Sequence, residues 1–350
     1  MRKFDYSFLK NEIPANIIGL TDIISDLRSK EEFRKLQYVE TFESLQKKAV
    51  IDSVKGSNAI EGIVTTDSRI KDIVLGATPK THDEEEISGY KDALNLIHTN
   101  YDKLDISQDT ILMFHKMIEE SVSPDTAGCY KEKDNFIMEY ATDGSRQIRF
   151  RPVAAKDISK AMEQLILAFY AARQDYEISP LLLIPCFVLD FLCIHPFSDG
   201  NGRVSRLLTV LLLYSFGYDI VQYISFEGQI NKIKENYYQA LQDSSQGWHE
   251  GTNDYVPFII NFLQTLYRCF KDLDESFMKI SLKKAKKSER VENILLSAIV
   301  PISKQDIADK VPDVSMKTIE LVLDKMQKSG KIVKIGTYKD ARYMKNMKGN

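Results

Sequence analysis

The sequence predicts a mainly α-helical protein with one β-hairpin, followed by a small helix-rich domain of opposite charge. Apolar residues recur at helical spacing through most of residues 20–280. The segment 135–151 interrupts that spacing with two β-prone runs. Residues 279–350 carry 17 basic and 8 acidic side chains, whereas residues 1–278 carry 30 and 42. A basic C-terminal segment is therefore joined to an acidic body.

The composition excludes several classes of protein. With 350 residues, of which 43% are hydrophobic and 28% charged, the chain can bury one large core or two ordinary ones, so it is neither disordered nor collagen-like. The formal net charge of −3 gives no overall preference for nucleic acid or an anionic membrane. The N-terminal residues lack a signal-peptide pattern, and Leu181–Ile194, the longest apolar stretch, is too short to span a bilayer. We therefore expect a cytoplasmic protein that does not enter a membrane.

The cysteines favour buried thiols over a disulfide framework or a zinc site. None of the four belongs to a CxxC pair, and three have apolar neighbours in the sequence. This pattern is typical of a reducing compartment. The four are Cys129, Cys186, Cys193 and Cys269.

The acidic body divides into two predicted regions. Residues 1–100 form an N-terminal helical region, in which the run VETFESLQKKAVIDSV fits an amphipathic helix. Residues 101–280 form a second helical domain, and its apolar stretch Leu181–Ile194 predicts a buried core helix. Within this domain the pair Asp143 and Gly144 predicts the turn of the hairpin at 135–151, because Asp-Gly suits the tight turns that join two strands.

The C-terminal residues 286–347 predict three helices and a two-stranded hairpin. This order resembles a winged helix-turn-helix domain, with Ser315–Ser329 as the recognition helix. Five lysines of the third helix and the wing would lie near DNA phosphates: Lys317, Lys325, Lys331, Lys334 and Lys339. The third helix has no arginine or asparagine that would read bases, so a charged surface on a protein-interaction or dimerisation module is the alternative.

The chemistry of the chain is concentrated in the segment HPFSDGNGRVSR at residues 195–206. It lies between two apolar runs and therefore forms a loop that leads into the first turn of a buried helix. The start of a helix offers unpaired N–H groups and the positive end of the helix dipole, both of which favour an anion. Three residues are placed to wrap that anion: Gly200, Asn201 and Gly202. Arg203 and Arg206 follow on one side of the first turn as charged groups suited to phosphate oxygens.

Two further side chains complete this loop. Asp199 offers a hard oxygen ligand beside the anion, as Mg²⁺ bridging phosphates requires. His195 lies at the start of the loop as a candidate general base. Together these residues indicate a site for phosphoryl or nucleotidyl transfer.

The segment HPFSDGNGRVSR fits every position of the signature HxFx(D/E)GNGRxxR of the Fic family, and the resemblance extends over roughly residues 40–275. The chain resembles a Fic domain protein adenylyltransferase, which implies a helical bundle with a β-hairpin flap. The resemblance implies that His195 deprotonates a Ser, Thr or Tyr hydroxyl of a target protein, and that this oxygen attacks the α-phosphorus of ATP. It also implies the ligand-binding residues: Asp199 for Mg²⁺, the Gly200, Asn201 and Gly202 trio for the phosphates, and Arg203 and Arg206 for the terminal phosphates.

A second motif resembles the inhibitory motif (S/T)xxxE(G/N) of some Fic proteins. It is SNAIEG, from Ser57 to Gly62. The resemblance implies a salt bridge between Glu61 and Arg206 that competes with the γ-phosphate and holds the enzyme in an inhibited state. In some relatives the same glutamate positions a water that removes AMP from modified targets, and the sequence leaves both roles open. The alternative is a helix-terminal Ser and Gly with an incidental glutamate.

The resemblance also implies partners for the catalytic domain. The hairpin at 135–151 corresponds to the flap, which docks an extended target segment by strand addition, although it could be a structural decoration. The run NYYQAL matches a pair of tyrosines that lines the nucleotide site in relatives, and Tyr237 is the candidate here. Relatives often form homodimers, and the sequence does not decide this point.

A function of a different class is an alternative. The protein would be a DNA-binding regulator whose Fic site only senses ATP. The complete signature favours catalysis, because a sensor has no need of the base His195.

Overall fold

The computed structural model describes residues 2–11, 13–140, 146–284, 287–298, 300–337 and 341–346. The protein is mainly helical with small antiparallel sheets, which confirms the predicted fold class. The chain divides into two units, residues 1–273 and 274–350. The first unit contains the HPFSDGNGRVSR loop, and the second contains most of the basic surplus.

Most of the first unit consists of helices, and polar side chains cap four of them. The side chains of Thr66, Thr81, Ser107 and Ser225 each accept a hydrogen bond from an N–H of the helix that follows, which satisfies a donor that the helix itself leaves free. The helices that begin in the first unit are α1 (Ala15–Gln37), α2 (Val39–Ile60), α3 (Asp67–Val74), α4 (His82–Asn100), α5 (Gln108–Glu119), α6 (Ile158–Arg173), α7 (Pro180–Ile194), α8 (Asn201–Ser215), α9 (Phe226–Lys232), α10 (Lys234–Ser245) and α11 (Val256–Lys284), the last of which continues past residue 273.

The core of the first unit is built on α7 and α8, the two helices that flank the loop. Every residue from Leu181 to Ile194 is buried, which confirms the prediction of a core helix there. Nearly all of α8 is buried as well, and the two helices pack against each other. Because apolar residues cover all sides of α7, this helix needs neighbours on every side and cannot lie at the surface.

Asp190 is the exception among the apolar residues of α7, and hydrogen bonds compensate its burial. Its carboxylate accepts from the hydroxyls of Tyr6 (2.9 Å) and Tyr255 (2.9 Å) and from the indole N–H of Trp248 (2.6 Å). Burial raises the pKa of this carboxyl, while the donors oppose that change. The contact with Tyr6 ties the N-terminal segment to the helix that ends at the loop.

The predicted hairpin is present as two antiparallel strands. They are β1 (Ile137–Tyr140) and β2 (Arg146–Phe150), with a β-bulge between Ile137 and Met138. The Asp143-Gly144 turn lies outside the described residues. The strands are thus confirmed, and the turn between them stays a prediction.

The second unit has its own core and a three-stranded antiparallel sheet in the order β3-β5-β4. Ser303 and Asp306 form a capping box at its second helix, and Ser315 caps its third. The short β3 adds one strand to the two that the sequence predicts. Whether this unit is a winged helix stays a prediction, and Lys339 lies outside the described residues. The elements are α12 (Lys287–Ser297), β3 (Ile302–Ser303), α13 (Lys304–Lys310), α14 (Met316–Lys328), β4 (Ile332–Ile335) and β5 (Arg342–Lys345).

Within the described parts of the chain, none of the helices combines the length and the apolar character that crossing a membrane would require.

Candidate functional site

The loop between α7 and α8 has a sharply defined backbone. α7 ends at His195, which has φ of 53° and is the one non-glycine residue with positive φ in the described part of the chain. Such a conformation costs an L-residue roughly 1–2 kcal/mol, so the surrounding structure must impose it. Gly200, with φ of 75°, then precedes the first turn of α8.

Asn201 gives the loop its shape. Its side-chain oxygen accepts from the N–H of Phe197 (2.9 Å), and its side-chain nitrogen donates to the carbonyl of Phe197 (2.8 Å). The side chain is 2% exposed. The amide group is therefore used within the loop, and it is not directed at phosphates as the sequence predicts.

Residues before the hairpin support the same loop, and sequence reasoning missed them. The N–H of Lys131 donates to the carbonyl of Pro196 (2.9 Å), and the Asn135 amide donates to the carbonyl of Phe197 (3.2 Å). The Lys131 ammonium donates in turn to Asn135 Oδ1 (2.7 Å). The His115 ring stacks on Phe197 at 3.8 Å between centroids, so this imidazole packs against the loop. No spacing in the sequence links these residues to the loop.

His195 has the properties of a neutral base. Burial, and after it the nearby charge of Lys131, lowers the pKa of its imidazole to about 4, whereas the carboxylates of Glu61 and Asp199 act in the opposite direction. Nδ1 lies 3.3 Å from the carbonyl oxygen of Leu192. A proton on Nδ1 that points to this carbonyl leaves Nε2 free to accept a proton.

The guanidinium of Arg206 is held by the end of α2. Its Nε donates to Ser57 Oγ (2.8 Å), and its Nη2 donates both to the carbonyl of Ser57 (3.0 Å) and to Glu61 Oε1 (2.8 Å). Arg206 is 2% exposed, while the Glu61 side chain is 32% exposed. The ion pair between Glu61 and Arg206 that the resemblance implies is thus present.

The Glu61 carboxylate also lies against the first turn of α8. A Cβ atom on Gly202 would come within 2.1 Å of Glu61 Oε1, so only glycine permits this approach. A carboxylate at a helix N-terminus and beside an arginine occupies the environment that favours any anion. The chain's own carboxylate therefore lies where the sequence predicts that an anion binds.

These residues line one cavity of about 500 Å³. The hairpin forms one wall, and α10 forms another with the predicted Tyr237 and with Tyr238, which sequence reasoning did not single out. Arg149 of β2 adds a second cation that the sequence did not indicate. The lining residues are Glu61, Ile137, Met138, Arg149, Leu192, His195, Gly202, Arg206, Tyr237, Tyr238 and Leu241.

Arg203 does not line the cavity together with Arg206, and its predicted contact with a terminal phosphate stays a prediction. Arg203 is 1% exposed and is paired with Glu86 of α4 and with Glu119 of α5, whose Oε1 lies 2.7 Å from its Nη2. Gly200 faces the same side, since a Cβ there would lie 3.0 Å from Glu119 Oε1. Two glutamates from distant helices therefore hold Arg203 as a structural ion pair, and of the predicted wrapping residues Gly202 alone reaches the cavity.

Two places offer ligands to a cation. Asp199 is exposed on the loop, and one of its carboxylate oxygens accepts from the N–H of Gly200 (2.6 Å). A single carboxylate together with nucleotide phosphates is a ligand set that Mg²⁺ accepts, so Asp199 fits that ion. The ligand atoms of His82, Asp83 and Glu86 also lie within 4.8 Å of one another, but Glu86 is already paired with Arg203.

Residues 105–213 match the Fic/DOC family. The chain is 27% identical to "Protein adenylyltransferase Fic" of Nematostella vectensis over 221 residues, which cover 61% of this chain and 46% of that protein. It is also 27% identical to a Fido domain-containing protein of Dictyostelium discoideum over 143 residues, which cover 40% of this chain and 89% of that protein. The chain thus spans about half the length of an adenylyltransferase such as the Nematostella protein.

Solved structures share the fold. A Fic family protein from Desulfovibrio desulfuricans superposes with a TM-score of 0.63 at 18% identity, over 97% of this chain and 99% of that one. Fic-1 from C. elegans superposes with a TM-score of 0.57 at 19% identity, over 75% of this chain and 72% of that one. At these identities the likeness concerns the fold of the chain.

Proposed function

Because residues 105–213 match the Fic/DOC family, we propose that the chain is an autoinhibited protein adenylyltransferase that transfers AMP from ATP to Ser, Thr or Tyr hydroxyls. One observation carries this proposal. A histidine, an arginine and the start of a buried helix line one cavity, and a carboxylate of the same chain lies beside that arginine and that helix start.

The residues of the cavity account for the chemistry. His195 accepts the hydroxyl proton as the target oxygen bonds to the α-phosphorus of ATP, and the bond from that phosphorus to pyrophosphate breaks. A positioned base of this kind contributes on the order of 10²- to 10⁴-fold. Arg206 and the N–H groups at the start of α8 stabilise negative charge on the phosphates. Mg²⁺ held by Asp199 would neutralise further charge on the pyrophosphate.

Glu61 accounts for the inhibition. Its carboxylate and a terminal phosphate would compete for the same guanidinium and the same helix start, since both are anions. The partial exposure of Glu61 lets a nucleotide reach that position. A role for Glu61 in removing AMP from a modified target is compatible with the same location.

The walls of the cavity suit the two substrates. Tyr237, Tyr238 and Leu241 offer an aromatic and apolar surface to a nucleobase. Ile137 and Met138 of β1 line the cavity, so a target segment that pairs with the hairpin would bring its hydroxyl close to His195.

Four proteins test this function: the wild type, Glu61→Gly, His195→Ala and the double variant. Each is incubated with Mg²⁺ and ATP labelled at the α-phosphate, and the label on the protein itself and on lysate proteins is measured. We expect weak labelling by the wild type, strong labelling by Glu61→Gly, and none by either variant that lacks His195. Intact mass then identifies the transferred group as AMP. If Glu61→Gly transfers nothing to any protein, the proposal fails.

The second unit supports a second candidate, contact with DNA. Lys317, Lys331 and Lys334 are exposed, as phosphate contacts require. However, Glu320 and Asp324 of the same α14 helix pair with Lys304 (2.7 Å) and Lys328 (2.7 Å). This mixture of charges favours weak contact without base specificity.

A further inference from the structure

The helix that carries Glu61 touches α9 backbone to backbone. A Cβ atom on Gly56 of α2 would lie 2.8 Å from the N atom of Gly228 and 2.9 Å from the carbonyl carbon of Glu227. Real Cβ contacts essentially never come this close to main-chain atoms. Glycine at position 56 therefore lets α2 lie closer to α9 than any other residue would permit.

Next to this contact, α9 places a buried carboxylate among neutral donors. Glu227 is 1% exposed, and it accepts from Ser53 Oγ of α2 (2.8 Å), from Tyr90 OH of α4 (2.9 Å) and from Ser225 Oγ (3.3 Å). Burial, and then the charge of Glu227, raises the pKa of Tyr90, so its hydroxyl stays a donor. Hydrogen bonds to a buried charge are strong, and losing one leaves the charge poorly solvated.

The contacts with α9 and the contacts with Arg206 lie on the same side of α2. Gly56 and Ser57 follow Ser53 by three and four residues, which places all three on one side of the helix. Glu61 follows one turn after Ser57. The first two residues meet α9, whereas Ser57 and Glu61 hold Arg206. A hydrogen bond of 2.8 Å is lost when its atoms separate by about 1 Å, so a small shift of this end of α2 would be enough to break the contacts with Arg206.

We propose that α9 holds the inhibitory end of α2 in place, so that Glu227 and Gly56 are positioning residues for the ion pair between Glu61 and Arg206. Neither residue lines the cavity. The inhibited state thus depends on packing outside the nucleotide site. This inference rests on the proposed function, because it assigns these residues to the regulation of that activity.

Gly56→Ala tests the inference, with Gly19→Ala as the matched control. Both glycines lie inside helices, but a Cβ on Gly19 meets nothing within 4 Å, whereas a Cβ on Gly56 must push α2 and α9 apart. Labelling with α-³²P ATP is measured for both variants and also in the Glu61→Gly background. We expect ~10-fold more AMP transfer from Gly56→Ala than from the wild type, a change within the usual range of coupling between sites. Gly19→Ala should label like the wild type.

The double variant shows whether Gly56→Ala acts through the position of Glu61 or damages the active site itself. In the Glu61→Gly background there is no carboxylate whose contact with Arg206 Gly56→Ala could break. The double variant should therefore label within about twofold of Glu61→Gly alone. Unchanged labelling in the single variant, or a loss in the double variant, overturns the inference while leaving the proposed function intact. If Glu61→Gly transferred no labelled AMP to any protein, the proposed function itself would be overturned.

Glu227→Gln provides a second route if Gly56→Ala fails to fold. The amide has the size of the carboxylate but turns one acceptor into a donor that faces hydroxyl donors. We expect activation in the same direction and the same absence of effect in the Glu61→Gly background. Labelling equal to that of the wild type contradicts the role of Glu227.

Discussion

The titration of His195 offers the most direct test of the catalytic geometry. An imidazole with an ordinary pKa of 6.5 would be ~90% protonated at pH 5.5 and would lose most of its capacity as a base. Burial and the charge of Lys131 lower the pKa of His195 to about 4. This change corresponds to about 3 kcal/mol against the imidazolium, so His195 should remain almost entirely neutral at pH 5.5.

Two measurements report this pKa. Histidine-labelled protein is titrated by NMR, and the signals of His195 are identified by their loss in His195→Gln. AMP transfer by Glu61→Gly is then followed between pH 5.5 and pH 7.5, where we expect the protonation of His195 to change the rate less than twofold. An ordinary imidazole would give a drop of about tenfold over that interval.

Variants of Lys131 and Glu61 test whether each neighbouring charge raises or lowers the pKa of His195. Lys131→Met removes a positive charge and should raise the pKa of His195, whereas Lys131→Arg should leave it near the wild-type value. Glu61→Gly removes a negative charge and should lower it. A midpoint close to 6.5 in the wild type, or a downward change in Lys131→Met, would refute the environment described for this base.

The remaining predictions concern Arg203 and the second unit. Arg203→Met leaves Glu86 and Glu119 buried without their cation, so the free energy of unfolding measured in urea should fall by about 3–5 kcal/mol. Loss of ATP binding with unchanged stability would show that Arg203 acts on the nucleotide instead. For DNA, the double variant Lys317→Glu and Lys331→Glu should weaken binding to duplex DNA and reduce the slope of log affinity against log salt by about 2, while His195→Ala should have no effect. Absence of binding by the wild type at low salt would exclude this candidate.

Local sequence patterns predicted the fold well where one segment decides the outcome. The apolar run of α7 needs burial on all sides whatever surrounds it, and the two β-prone runs of the hairpin pair with each other. The capping serines at positions 303 and 315 mark helix starts for the same local reason. The third strand of the C-terminal sheet, only two residues long, carries no such pattern.

The site was predicted less completely, because the contacts of each side chain involve residues far away in sequence. Arg203 and Arg206 look equivalent in the motif. Glu86 and Glu119 bind one of them, and Glu61 binds the other, and no local spacing shows which carboxylate meets which arginine. The hydrogen bond from Lys131 to the loop also joins residues far apart in sequence, so no local pattern predicts it. Only the motif SNAIEG, through its resemblance, connected a distant residue to Arg206.

The place of α2 in the chain decides the order in which the parts of the candidate site are synthesised. A ribosome synthesises α2 well before α8, and N-terminal segments generally fold first. When the HPFSDGNGRVSR loop leaves the exit tunnel, the segment that carries Glu61 is already present in the same polypeptide. Under the proposed function, a newly made molecule therefore has its inhibitory glutamate available from the moment its active site assembles.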